Sequence, residues 1–147
     1  MALRTAKATW NGTLKEGKGS MELGSGAFEG AFSFDTRMGD AAGTNPEELI
    51  GAALAGCYTM ALNATLEKEG FASNGVKTDA KVHFGKDDKG FAITQIDLET
   101  VADVPNIDEA KFAEIAENTK NGCPVSRALT GTKIVLDAKL VKSQAAA

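Results

Sequence analysis

Two cysteines in 147 residues, Cys57 and Cys123, are the side chains best suited to chemistry. A thiolate attacks electrophiles and closes disulfides, whereas a buried, unassisted thiol has a raised pKa and is inert. Composition leaves three readings open: two inert thiols, one reactive thiol with a bystander, or a redox pair. Cys57 stands in Ala55-Gly56-Cys57-Tyr58. Gly56 is expected to weaken a helix there and leave the sulfur at the head of a new segment, where free N–H groups and the helix dipole favour an anion. Cys123 stands in Asn121-Gly122-Cys123-Pro124, a turn running into a helix with Pro124 at its first position. That again places a sulfur at a helix N-terminus, and two such junctions bring redox chemistry level with inert packing. The pair is not a Cys-x-x-Cys, which argues against a thioredoxin-type exchange site. His83 is the single histidine and falls on the polar face of an expected strand, so neither a Cys/His nucleophile pair nor a zinc site is expected.

The elements that must position these sulfurs can be read from periodicity. Lys7 to Trp10, Ser20 to Leu23 and Ala27 to Phe34 read as strands of an antiparallel meander, with Phe28, Phe32 and Phe34 on one face. A loop from Asp35 to Thr44 carries Arg37. At Thr44-Asn45-Pro46-Glu47-Glu48 a helix begins: Thr44 or Asn45 caps it, Pro46 suits the first position, and two acids meet the dipole. From Leu49 to Leu62 it is apolar almost all round, which predicts a helix buried on every side, and Gly70 is a suitable stop. Val76 to Phe84 alternate with polar residues, a hairpin loop spans Gly85 to Gly90, and Ala92 to Val101 return as the partner strand. A helix is expected from Asp108 to Lys120, a short one after Cys123-Pro124, a strand from Thr132 to Val141, and a frayed tail after Ser143.

This order predicts an α+β fold in one domain over residues 1–147, with antiparallel sheets packed around a buried central helix. So apolar a helix in so short a chain predicts an obligate, intertwined homodimer. A net charge of −4, with no Lys/Arg-rich run, argues against nucleic-acid binding. No apolar stretch is expected to span a bilayer, and Met1-Ala2-Leu3-Arg4 lacks the apolar core of a signal peptide. A soluble, cytoplasmic protein without membrane contact is the expectation, with no bound cofactor.

Three stretches together are more specific than either cysteine alone: Phe34-Asp35-Thr36-Arg37, Gly43-Thr44-Asn45-Pro46-Glu47-Glu48-Leu49-Ile50-Gly51-Ala52-Ala53, and Ala55-Gly56-Cys57-Tyr58-Thr59-Met60-Ala61-Leu62. With Gly122-Cys123-Pro124-Val125-Ser126 they resemble the OsmC/Ohr family of hydroperoxide reductases, and Arg37 and Gly51-Ala52-Ala53 place the resemblance on the OsmC branch. The resemblance spans essentially the whole chain. It implies Cys57 as the peroxidatic cysteine, Cys123 as the resolving one, Arg37 beside the reactive sulfur and Glu47 holding Arg37. It also implies an intertwined homodimer with two active sites at the subunit interface. The implied substrate is an organic hydroperoxide, and the implied electron donor is an external dithiol such as the lipoyl group of another protein. A redox-responsive stress or binding protein without catalytic turnover is the alternative.

The chemistry implied is sound in itself. A thiolate attacks one peroxide oxygen, an alcohol leaves, and the resulting sulfenic acid condenses with a second thiol. An arginine lowers the thiol pKa and donates to the developing alkoxide, and its planar fork matches a carboxylate bidentately. Glu47 and Cys57 are ten positions apart, roughly 15 Å along a straight helix. Either Arg37 bridges that gap from its loop or the helix breaks near Ala55-Gly56; a break or bend is expected. An unbroken helix with Arg37 far from the sulfur would refute the proposed site.

Overall fold

A computed structural model describes residues 1–143; the tail expected to fray falls at 144–147, outside them. The chain forms two compact units, Met1–Leu49 and Ile50–Ala147.

In the first unit, β1 (Ala6–Asn11), β2 (Lys18–Leu23) and β3 (Glu29–Phe32) form an antiparallel sheet in that order. Gly19 pairs with both Trp10 and Phe32, and a Cβ there would strike the Phe32 ring. Its bare backbone lets the Trp10 and Phe32 rings meet at 5.4 Å. The strand expected to reach Phe34 stops at Phe32, because Ser33 diverts the chain into a short helix, α1 (Phe34–Met38). Ser33 Oγ accepts from the Thr36 N–H at 3.2 Å and Thr36 Oγ1 accepts from the Ser33 N–H at 2.8 Å, a reciprocal cap. Arg37 therefore sits on a capped turn of helix, where a loop is expected from the sequence.

The central helix, α2 (Pro46–Lys68), begins as its sequence predicts: Asn45 Oδ1 accepts from the Glu48 N–H at 2.8 Å. It ends at Gly70, whose φ of 89° only glycine adopts easily. Phe71 N–H then bonds Leu66 C=O and Gly70 N–H bonds Glu67 C=O, closing a Schellman turn. Between these ends the helix is continuous, so the expected break near Gly56 is absent. A glycine costs an isolated helix about 1 kcal/mol, which packing of the flanking turns overrides.

In the second unit, β4 (Gly75–Asp87) and β5 (Gly90–Asp103) pair antiparallel, and β6 (Lys133–Val141) joins β5 parallel. This sheet is mixed, contrary to the all-antiparallel expectation. The reason is the long connection through α3 (Glu109–Gly122) and α4 (Pro124–Ala128), the kind of crossover that parallel neighbours require. Leu54, Tyr58, Leu62 and Leu66, one α2 stripe at four-residue spacing, are fully buried against Ile96, Leu98 and Ala102 of β5 and Phe112, Ile115 and Ala116 of α3. The opposite face, with Ala52, Ala53, Gly56 and Met60, is exposed, Met60 at 78%. Burial on every side is thus not realised within one chain, since the buried residues of α2 packed on β5 and α3 form one stripe. By length and composition α2 is also long and apolar enough to cross a membrane, which corrects the expectation that no stretch is. Its core stripe is nonetheless packed into protein.

Replacing Leu62 by Ala removes a fully enclosed side chain and is expected to cost about 2–5 kcal/mol. Urea unfolding followed by circular dichroism checks this, and a cost near zero would contradict the packing described.

Candidate functional site

The four residues singled out from the sequence fall into two pairs, one in each unit. Arg37 on α1 meets Glu47 in the first turn of α2. Both Arg37 Nε and Nη2 donate to Glu47 Oε1, at 2.9 and 2.6 Å. The fork thus closes on one oxygen, where a two-oxygen match is the expectation for a carboxylate. Glu47 is buried while the Arg37 side chain is 41% exposed. The second carboxylate oxygen, Oε2, is enclosed without a hydrogen-bond partner.

The second pair is the thiols. Cys57 lies mid-helix, one residue before Tyr58 and thus at the edge of the core stripe. Cys123 is buried at the junction of α3 and α4: its N–H closes α3 on Thr119 C=O, and its sulfur caps α4 by accepting from the Ser126 N–H at 3.4 Å. Both cysteines are free, and they are neighbours, close enough for each to shift the ionisation of the other. Tyr58 Oη donates to Ala116 C=O at 3.1 Å, tying the helix that ends at Cys123 to the helix that carries Cys57. The Tyr58 hydroxyl is held protonated, by burial first and then by Glu117 and Cys123.

The positive helix end that Cys57 was expected to gain from its own helix comes instead from α4. Burial pushes the Cys57 thiol up, the Val125 N–H opposes this, and the neighbouring Cys123 adds to the rise. Burial acts on Cys123 too, but the Ser126 hydroxyl and N–H, Cys57 and the Val125 N–H together outweigh it and hold its pKa below the ordinary thiol value. Within one chain, then, a shared negative charge favours Cys123. A cavity of about 260 Å³ opens beside this sulfur, lined by Ala61, Thr65, Thr119, Cys123 and Pro124 among others.

Ser126 is the residue to which the sequence analysis gives no role of its own: Cys123 caps α4, and Ser126 is its donor. The usable signal is the Cys-x-x-Ser spacing, which matches N-cap and N3 positions of a capped helix. His83 behaves as expected of a strand-surface residue, pairing with Asp97 at 2.6 Å. Among the described residues no group of His, Cys, Asp and Glu could hold a metal ion.

The chain as a whole has counterparts among known proteins. The family model described as OsmC-like protein matches residues 39–138, and the chain belongs to that family. It is 44% identical over 138 residues to Peroxiredoxin OsmC of Escherichia coli (strain K12), covering 93% of this chain and 96% of that protein. It is 31% identical over 108 residues to the organic hydroperoxide resistance protein of Xanthomonas axonopodis pv. citri (strain 306), covering 71% of this chain and 74% of that protein. The crystal structure of the organic hydroperoxide resistance protein OhrB of Bacillus subtilis superposes with a TM-score of 0.71 at 26% identity, covering 94% of this chain and all of that one. An OsmC-like protein from Mycoplasma pneumoniae shares the fold at a TM-score of 0.75 and 19% identity, covering 95% of this chain and 98% of that one.

Because the thiols meet within one chain, mild oxidation with diamide is expected to abolish both titratable thiols without linking chains on non-reducing gels. Persistent free thiols, or covalent dimers, would contradict the geometry.

Proposed function

We propose that this chain is a thiol-dependent peroxidase that reduces organic hydroperoxides to alcohols. The observation that carries the reading is that Cys57 and Cys123 are neighbours at the α4 N-terminus, each shifting the ionisation of the other. The Cys57 thiolate attacks the terminal peroxide oxygen, the O–O bond breaks, and the alkoxide takes a proton to leave as alcohol. Cys57 is now a sulfenic acid. Cys123 attacks its sulfur, water leaves, and a disulfide forms before further oxidation. An external dithiol of the lipoyl type returns both sulfurs to thiols, becoming a disulfide itself. The names of the relatives, a peroxiredoxin and hydroperoxide resistance proteins, support this class of reaction.

Charge favours Cys123 in one chain, so Cys57 needs a cation to become the nucleophile. Arg37 is suited by its fork, its permanent charge and its exposure. The unbroken α2 sets Glu47, the partner of Arg37, roughly 15 Å along the axis from Cys57. The reading is therefore modified from a site with a broken helix to one in which Arg37 and Glu47 of one copy serve Cys57 and Cys123 of another. The exposed Ala53, Gly56 and Met60 face of α2 supports a homodimer, because small residues allow close approach of a second helix. Under this reading Gly56 serves packing between copies, and the protein works in the cytoplasm.

Cumene hydroperoxide consumption with dihydrolipoamide tests the activity: many turnovers are expected in the wild type and none in Cys57→Ser. A single stoichiometric oxidation would point instead to a redox-responsive protein without turnover. Mixing tests the composite site. Arg37→Ala and Cys57→Ser proteins, each inactive, are unfolded together and refolded. Random pairing should restore about a quarter of wild-type activity, since half the dimers carry one intact site of two. No recovery would place Arg37 and Cys57 of the same chain in one site.

A further inference from the structure

The proposed cycle asks Cys123 to attack as a thiolate from a position only 2% exposed, where water offers little help. Among the described residues, the Ser126 side chain bonds this sulfur. As a thiol, Cys123 donates to Ser126 Oγ over 3.3 Å; once the sulfur is ionised the same distance lets the hydroxyl donate back. The Ser126 N–H already points at the sulfur from 3.4 Å. Ser126 is itself buried, at 7%, so both donors act where a charged hydrogen bond is least weakened by solvent.

We propose that Ser126 is the residue that readies Cys123 for resolution: its hydroxyl and N–H stabilise the Cys123 thiolate that closes the disulfide on oxidised Cys57. The assignment rests on the peroxidase reading of the pair. In the step concerned, the Cys123 electron pair forms the S–S bond, the S–O bond of the Cys57 sulfenic acid breaks, and the departing hydroxide takes a proton from solvent to leave as water. Ser126 touches no peroxide and is a positioning residue. It matters because sulfenic acid left waiting meets a second peroxide and becomes sulfinic acid. The titratable neighbours of the sulfur are Cys57 and Tyr58 of α2 and, acting through Tyr58, Glu117 of α3. Tyr58 keeps its proton, so Cys57 alone titrates against Cys123.

The experiment separates disulfide closure from the first oxidation. Reduced wild type, Ser126→Ala and Ser126→Thr are each given cumene hydroperoxide, and sulfenic acid formation and thiol loss are timed separately across pH. Sulfenic acid should form on Cys57 no more slowly in Ser126→Ala than in the wild type, because a weaker Cys123 thiolate opposes Cys57 less. Closure in Ser126→Ala should be about tenfold slower at mildly acid pH and recover in alkali, where Cys123 ionises unaided. Ser126→Thr, which keeps the hydroxyl, should restore the profile. An unchanged profile, or slowing equal at every pH, would overturn the proposal. Because alanine could also loosen the α3–α4 junction, thiolate absorbance is titrated in Cys57→Ser with and without Ser126→Ala. A higher midpoint in the double variant supports the assignment and an equal one overturns it. This titration needs no peroxide, so its answer stands even if the wild type never turns over, an outcome that would defeat the peroxidase reading instead.

Discussion

Carrying one negative charge between two sulfurs inside packed protein costs several kcal/mol unless donors converge on it, and that cost explains the local architecture. The donors come from a single place, the start of α4. Pro124 begins the helix without an N–H of its own; of the next two N–H groups, that of Val125 acts on both sulfurs and that of Ser126 on Cys123. The Ser126 hydroxyl adds a third donor, on Cys123 only. The charge therefore has a preferred home on the sulfur with more donors. A nucleophilic Cys57 has to be made by something that arrives from elsewhere, and a guanidinium is the suitable group.

Holding the two sulfurs in contact is the task of α2. Its buried stripe of Leu54, Tyr58, Leu62 and Leu66 fixes the rotation of the helix against the second sheet. Cys57, one residue from Tyr58, is thereby turned toward α4 at the margin of the core. Tyr58 contributes twice, filling core volume with its ring and fixing α3 through the bond to Ala116 C=O. Because the stripe occupies only one face, Ala52, Ala53, Gly56 and Met60 of the apolar helix stay exposed in one chain.

Elements whose signal is local were legible in the sequence. The caps at Asn45 and Asp108, the stop at Gly70, the alternation along β4 and the turn before Pro124 all depend on neighbours within a few residues. Features decided by distant contacts were not. Whether α2 bends at Gly56 depends on the packing of both flanking turns, and whether β6 lies parallel depends on the crossover through α3 and α4. The helix around Arg37 was missed for a different reason: its cap is a Ser/Thr pair where the usual signature is Ser/Thr with Glu or Gln. Both cysteines were legible as candidates, but the identity of the donors was not, since a backbone N–H leaves no mark in a sequence.

The Arg37–Glu47 pair bears on the same question from the other unit. Two guanidinium N–H groups crowd one oxygen of a buried carboxylate while the other is enclosed and unpaired, which forfeits the desolvation energy of that oxygen. A pair optimised only for stability would use both oxygens, as an end-on fork does. The Arg37 side chain is also partly exposed, and a partly exposed guanidinium can donate to an anion as well as hold a carboxylate. In the proposed two-copy site that anion is the Cys57 thiolate and then the alkoxide leaving it. The one-sided grip of Glu47 and the charge preference for Cys123 are then complementary deficits, each repaired by the unit of the other copy.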